Sequence, residues 1–136
     1  MQTFLPYPNI EKSLKVLDSK RLGKQRVEAF QILNILIRRT KAKGWRNHPA
    51  VKMWKGHTNT LKFYFNKSLE EWISRGYKNN MKFENIKGKI VFPKWFRNRK
   101  FHSSHKSNLL RKDKKYYSKF GWKEPLDLPY VWPKNK

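Results

Sequence analysis

Two stretches of the chain place their apolar residues at the spacing of a helix, and that spacing limits what the chain can become. From Ser19 to Arg39 the residues Leu22, Ala29, Ile32, Leu33, Leu36 and Ile37 fall on one face, in steps that suit a helix and not the alternation of a strand. Asp18 or Ser19 is the candidate N-cap, since a short polar side chain there satisfies a first-turn N–H. Gly23 weakens the first turns of this helix. A second helix is expected to open at His48-Pro49, because proline suits the first helical position, where its missing N–H has no partner to lose. Its stripe is aromatic: Trp54, Leu61, Phe65, Leu69 and Trp72 follow one another at intervals of seven, four, four and three. Arg75-Gly76 reads as its stop.

Between these helices Lys41 to Asn47, with Gly44, reads as a turn. Before them, Pro6 and Pro8 make residues 1–11 an extended arm, and Glu11 to Leu17 reads as a short helix or its approach. Residues 77–100 are broken by Asn79-Asn80, Gly88 and Pro93, and Ile90-Val91-Phe92 is too short to assign to a strand. Ser103 or Ser104 is the expected cap of a third helix reaching about Phe120. The tail from Trp122 to Pro133 holds three prolines and is expected to pack Trp122, Tyr130 and Trp132 back onto the body as a strap. The expected fold is therefore all-α: one compact domain over residues 1–136, with about three main helices, an extended N-terminal arm and an irregular aromatic C-terminal tail. A chain of 136 residues is of single-domain length and buries enough surface for a core.

Charge narrows the partner. There are 33 Lys and Arg against 9 Asp and Glu, a net +24. A compact chain with that excess repels itself unless a polyanion neutralises it. Nucleic acid does so with release of counterions. An anionic membrane calls for a basic amphipathic helix or a lipid anchor. The chain has no Met-Gly start and no cysteine for acylation. The absence of cysteine also excludes disulfides, zinc–thiolate sites and cysteine nucleophiles. The start MQTFLPYPNIEK lacks the basic and long apolar segments of a signal peptide, and no apolar run approaches the ~20 residues that span a bilayer. An intracellular, DNA-associated protein with no membrane contact is expected. The plainer alternative is a highly charged soluble protein with no specific partner.

Few residues offer chemistry. Glu28 stands in a basic stretch of the first long helix, at the border of its apolar face, with Arg21 and Lys24 beside it as counter-charges. A surface that only grips phosphates gains nothing from a carboxylate there. An enzyme that breaks a bond between base and sugar does gain, because positive charge develops on the sugar. The plainer reading of Glu28 is a helical ion pair, and spacing alone favours it. The α-amine is the second candidate. Its unperturbed pKa is about 7.7–8.0 against about 10.4 for lysine, so it is the amine best able to act as a neutral nucleophile. The plainer reading is a frayed terminus. His102-x-x-His105 has the spacing to face one metal ion but no companion acid; with Ser103 beside them, these histidines are alternatively candidates for phosphate or base contact. His48 is a candidate helix cap. Aromatic and basic residues interleave at Trp45-Arg46, Lys94 to Arg97 and Lys115 to Tyr117, a mixture that suits base stacking, although each ring is more simply core.

The stretch DSKRLGKQRVE, Asp18 to Glu28, resembles the catalytic-helix motif of the pyrimidine-dimer DNA glycosylase family, the phage endonuclease V-like enzymes. The strings MQTFLPYP, RLGKQRVE, GWRNHPAVKMW and LPYVWP make the chain similar to one branch of that family over almost its whole length. The resemblance implies a compact all-α enzyme of DNA repair, a glycosylase with AP-lyase activity that flips a damaged pyrimidine out of double-stranded DNA. It implies attack by the N-terminal amine on the sugar, an imine intermediate and β-elimination. The essential glutamate of the motif falls on Glu28. Residue 2 is Gln, too large for ordinary removal of Met1, so the amine is assigned to Met1. The residue before the glutamate is Val27 where the family has arginine, with Arg21 and Arg26 as nearby cations. The expected site is Met1 and Glu28 for catalysis, with Gln2, Arg21, Lys24, Arg26, Arg46, His48, His102, Ser103, His105, Lys106, Arg111, Lys112 and Lys115 on the DNA. No metal, no organic cofactor and no obligate protein partner is expected, and a monomer is. Two rivals stand beside this reading: a non-enzymatic basic DNA- or RNA-binding protein, and a glycosylase for another modified base that uses water as nucleophile.

Overall fold

The structure, a computed structural model, describes residues 2–40 and 46–133. Met1, Trp45 and the turn expected around Gly44 lie outside them. Among the described residues every regular element is helical. The first helix, α1 (Ile10–Val16), is capped by the Asn9 side chain, which accepts from the Lys12 N–H. Helix α2 (Ser19–Leu36) is capped by Asp18, whose carboxylate accepts from the Arg21 N–H. It ends three residues before the expected Arg39, where Arg38 takes a left-handed backbone with φ 58°.

The second long helix differs from expectation in one respect. The segment opening at His48-Pro49 is a single turn, α3 (Pro49–Lys52), and the long helix α4 (Thr58–Ser74) starts afresh. Gly56 lies between them at φ 84°, a conformation that interrupts a helix and that glycine adopts without steric cost. Trp54, read as part of the α4 stripe, is instead buried in this turn. The expected stop holds, with Arg75 as C-cap and Gly76 at φ 89°.

A second correction concerns the third helix. It starts at Arg99, with Asn98 accepting from the N–H groups of Lys100 and Phe101. Ser103 and Ser104 therefore lie inside it rather than at its cap. It also stops early: α5 (Arg99–Lys112) is followed at Asp113 by the short α6 (Lys114–Tyr117) and a 3-10 turn to Phe120. Asp113, the acid in that basic run, is spent as the cap of α6.

α2 packs chiefly against α4, and α1 packs on α4 as well. Leu22, Ala29, Ile32 and Leu33 meet Leu61, Tyr64, Phe65 and Leu69 in one buried cluster, joined by Trp54, Phe101 and Tyr117. Gly23 lies at a close approach in this packing, since a Cβ there would come within 3.2 Å of the Trp72 ring. The tail is the expected strap. Trp122, Tyr130 and Trp132 lie against the core, and Asn108 and Ser107 of α5 donate to the carbonyls of Leu128 and Pro125.

The arm is the unexpected element. Residues Gln2 to Pro6 are all buried, although no strand or helix pairs with them. A buried backbone N–H must find a partner, and here side chains supply every one. Gln2 N–H donates to Glu28, Thr3 N–H to the Gln2 side chain, Phe4 N–H to Gln25 and Leu5 N–H to His105 Nδ1. Pro6 has no N–H to satisfy. This explains why polar side chains such as Gln25 and His105 occupy the interior.

Candidate active site

The arm ends beside α2, and the place where they meet is a cavity of about 290 Å³. Gln2 and Phe4 of the arm, Lys20, Arg21, Lys24, Gln25 and Glu28 of α2, and Lys112 and Tyr130 of the C-terminal half line it. Glu28 is the acid among them. Its Oε2 accepts the Gln2 backbone N–H at 2.8 Å and the Gln25 side-chain amide at 3.3 Å.

This arrangement corrects the expectation that cations hold Glu28. Among the described residues it forms no ion pair within 4.0 Å. Asp18, Glu84, Glu11, Glu70, Glu71 and Glu124 do form pairs. The Arg21 guanidinium is drawn to Asp18 at 3.1 Å, and Lys24 is exposed. Neutral amide donors fix Glu28 in place, and among the described residues Lys20, Lys24 and Lys112 form no ion pair that would compete with a bound anion.

Tyr64 closes the network from α4. Its hydroxyl donates to the Phe4 carbonyl at 3.0 Å and to Gln25 Oε1 at 2.8 Å. Burial raises its pKa well above the ordinary tyrosine value, so it remains a donor. His48 caps α3 by accepting from the Ala50 N–H and meets the Trp132 ring edge-on at 5.6 Å. Burial lowers its pKa, and the charge of Glu28 acts in the opposite direction, so His48 is within electrostatic reach of the carboxylate.

The residues expected at the site divide clearly. Gln2, Arg21, Lys24, Glu28 and Lys112 line the one cavity. His102 and His105 do not line this cavity: His105 is fully buried, and His102, 5% exposed, lines a separate groove. His102 meets the carbonyl oxygens of Leu5 and Phe96 with its two ring nitrogens, each at 2.6 Å, and His105 holds the Leu5 N–H. They fasten the arm, and their helical spacing reports that task. Arg26 lies 4.1 Å over the Trp72 ring, which stacks on Tyr77, so its guanidinium is a packing element. Arg111 donates to the Leu126 carbonyl and to Asn108, tying down the strap. Lys106 is 4.0 Å from Glu124 and lies over the Tyr7 ring. Ser103 lines that separate groove together with His102, Lys106, Pro6, Pro8, Arg97 and Arg99, so three of the expected residues meet there and not at the Glu28 cavity. Arg46 and Lys115 are exposed and do not line the Glu28 cavity.

Of the interleaved aromatics, Trp95, Phe96 and Tyr117 are buried and serve the core. Five members of the site were missed: Phe4, Lys20, Gln25 and Tyr130 of the cavity lining and Tyr64 behind it. Gln25 carried a signal, because an amide stood between Leu22 and Ala29 on the apolar face of α2. Tyr130 carried none, since nothing local links the tail to α2.

A family model described as pyrimidine dimer DNA glycosylase matches residues 1–85. The match covers the arm, α2 and α4, and stops before α5. No curated protein and no solved structure matches the chain. Among the described residues no helix is long and apolar enough to cross a membrane, and no three His, Asp or Glu side chains converge as a ligand set.

Proposed function

The chain belongs to the pyrimidine dimer DNA glycosylase family, and on that premise we propose that it excises UV-damaged pyrimidines and then cleaves the strand as an AP lyase, with the Met1 amine as nucleophile and Glu28 as the essential carboxylate. One observation carries the reading. The second residue of the arm is tied to Glu28 through its own backbone, Gln2 N–H to Oε2 at 2.8 Å. Covalent geometry keeps any amine on residue 1 within roughly 4 Å of the Gln2 nitrogen. The start of the arm is thereby held at Glu28, beside a cavity that Lys20, Arg21, Lys24 and Lys112 also line.

The chemistry follows from the Met1 amine and Glu28. A nucleotide turned out of the duplex brings its sugar to the cavity, with flanking phosphates on the lysines and arginines. The neutral amine forms a bond to C1′ while the bond from C1′ to the pyrimidine nitrogen breaks. The base leaves with that electron pair and takes up a proton. Positive charge on the sugar is stabilised by Glu28. Loss of the amine proton and opening of the sugar ring give the imine. Removal of a proton from C2′ then expels the 3′ phosphate, and hydrolysis of the imine releases the protein. Arg46 and Lys115 serve phosphates farther along the duplex, and the protein acts as a monomer. None of these steps calls on a metal, and EDTA is expected to leave activity intact.

Glu28→Gln tests the carboxylate. The variant keeps the size and an oxygen for the Gln2 N–H, and it removes a charge that repels phosphate. It is expected to bind UV-irradiated duplex at least as tightly as the wild type while excision falls by about 10²-fold or more. Binding together with undiminished excision would overturn the assignment.

A further inference from the structure

We propose that Gln25 is a positioning residue, which clamps Glu28 by one carboxylate oxygen and leaves the other to act on substrate. The proposal rests on Glu28 being the carboxylate of the reaction. Gln25 occupies an apolar position of α2 and is 1% exposed. A buried amide is unfavourable there unless its polar atoms are bonded, and a leucine would pack without that requirement.

Each end of the amide is in use. Oε1 accepts the Phe4 N–H at 2.7 Å and the Tyr64 hydroxyl at 2.8 Å. Nε2 donates to Glu28 Oε2 at 3.3 Å. The Phe4 N–H can only donate, so the oxygen must face it and the NH₂ must face Glu28; the amide cannot be turned round. Glu28 Oε2 then holds two donors, Gln25 and the Gln2 backbone. No described residue donates to its Oε1. Among the described residues the carboxylate is held at Oε2 and has no donor at Oε1, and Glu28 lines the cavity. Held this way, its open oxygen meets positive charge on the sugar without first reorienting.

A residue that only fastens the arm would give the same burial, so the test must separate the two ends of the amide. Gln25→Glu keeps an oxygen for the Phe4 N–H and the Tyr64 hydroxyl and replaces the donor facing Glu28. Gln25→Met removes both ends at similar volume. The untagged full-length variants and Glu28→Gln are compared with wild type on UV-irradiated duplex. Equilibrium binding and single-turnover excision are measured, with rates normalised to folded protein. The expected result for Gln25→Glu, whose added carboxylate weakens DNA binding, is excision slowed about 10²-fold even at saturating protein, and for Gln25→Met at least the same loss of rate. The proposal is overturned if either Gln25 variant excises at the wild-type rate while Glu28→Gln is inactive. If Glu28→Gln itself excises normally, the role of Glu28 fails first and this inference falls with it.

Discussion

Asp18 shows how much one short side chain holds in this fold. Its carboxylate caps α2, pairs with Arg21 and accepts the Tyr117 hydroxyl, so one residue joins the start of α2 to α6. Burial pushes its pKa up, but the Tyr117 hydroxyl and then Arg21 outweigh this, and the pKa lies below the ordinary 3.8. A carboxyl lowered in the folded state stabilises the fold above its unfolded value and loses that contribution as pH falls through the folded one. Asp18→Ala removes cap, pair and hydroxyl partner together. It is expected to cost about 1–2 kcal/mol in urea unfolding at pH 7, with a smaller difference from wild type below pH 3.8. An equal difference at both pH values would show that the charge of Asp18 plays no part.

Among the elements, the arm is fastened by a group that titrates. His105 accepts the Leu5 N–H and is fully buried. Burial, with His102 acting in the same direction, pushes its pKa down to about 3 from 6.5. The folded protein keeps this ring neutral where the unfolded chain protonates it, so the unfolded state binds more protons between those values. Stability must therefore rise with pH across that window and fall on acidification, by about 1.4 kcal/mol per unit for one such group. Thermal unfolding from pH 7 to 5 is expected to show this loss, and His105→Gln should flatten it. An unchanged slope in the variant would assign the loss elsewhere. At the α2–α4 contact, Gly23→Ala would ordinarily gain about 1 kcal/mol of helix propensity. The Trp72 ring lies 3.2 Å from the new Cβ, held between Arg26 and Tyr77. No gain is expected in urea unfolding, and a full gain would mean that Trp72 is free to move.

Over the whole molecule, the helices were legible where periodicity was local, and the site was legible where charge was anomalous. The α2 and α4 stripes follow directly from Leu22 to Leu33 and from Leu61 to Leu69, and Glu28 stood out among cations. What stayed hidden depends on contacts between distant segments. Gly56 lies inside the stripe read from Trp54 to Trp72, and the turn made there separates Trp54 from α4. His102 and His105 read as DNA contacts because their partners, at Leu5 and Phe96, are backbone groups that no side-chain pattern reveals. Tyr130 joined the cavity only through the path of the strap. The same long-range construction brings Lys112 from the C-terminal half to Lys20, Arg21 and Lys24 of α2, so these cations surround a cavity with one held carboxylate. The central claim is that an amine at the start of the arm forms a covalent bond with the sugar beside Glu28. Borohydride trapping tests it most directly, with the untagged protein on UV-irradiated duplex, on duplex carrying an abasic site and on intact duplex. The expected result is a covalent adduct on both damaged duplexes, absent from intact duplex and lost when the N-terminal amine is blocked. Binding to both damaged duplexes without any trapped adduct would contradict the amine mechanism and leave a glycosylase that uses water.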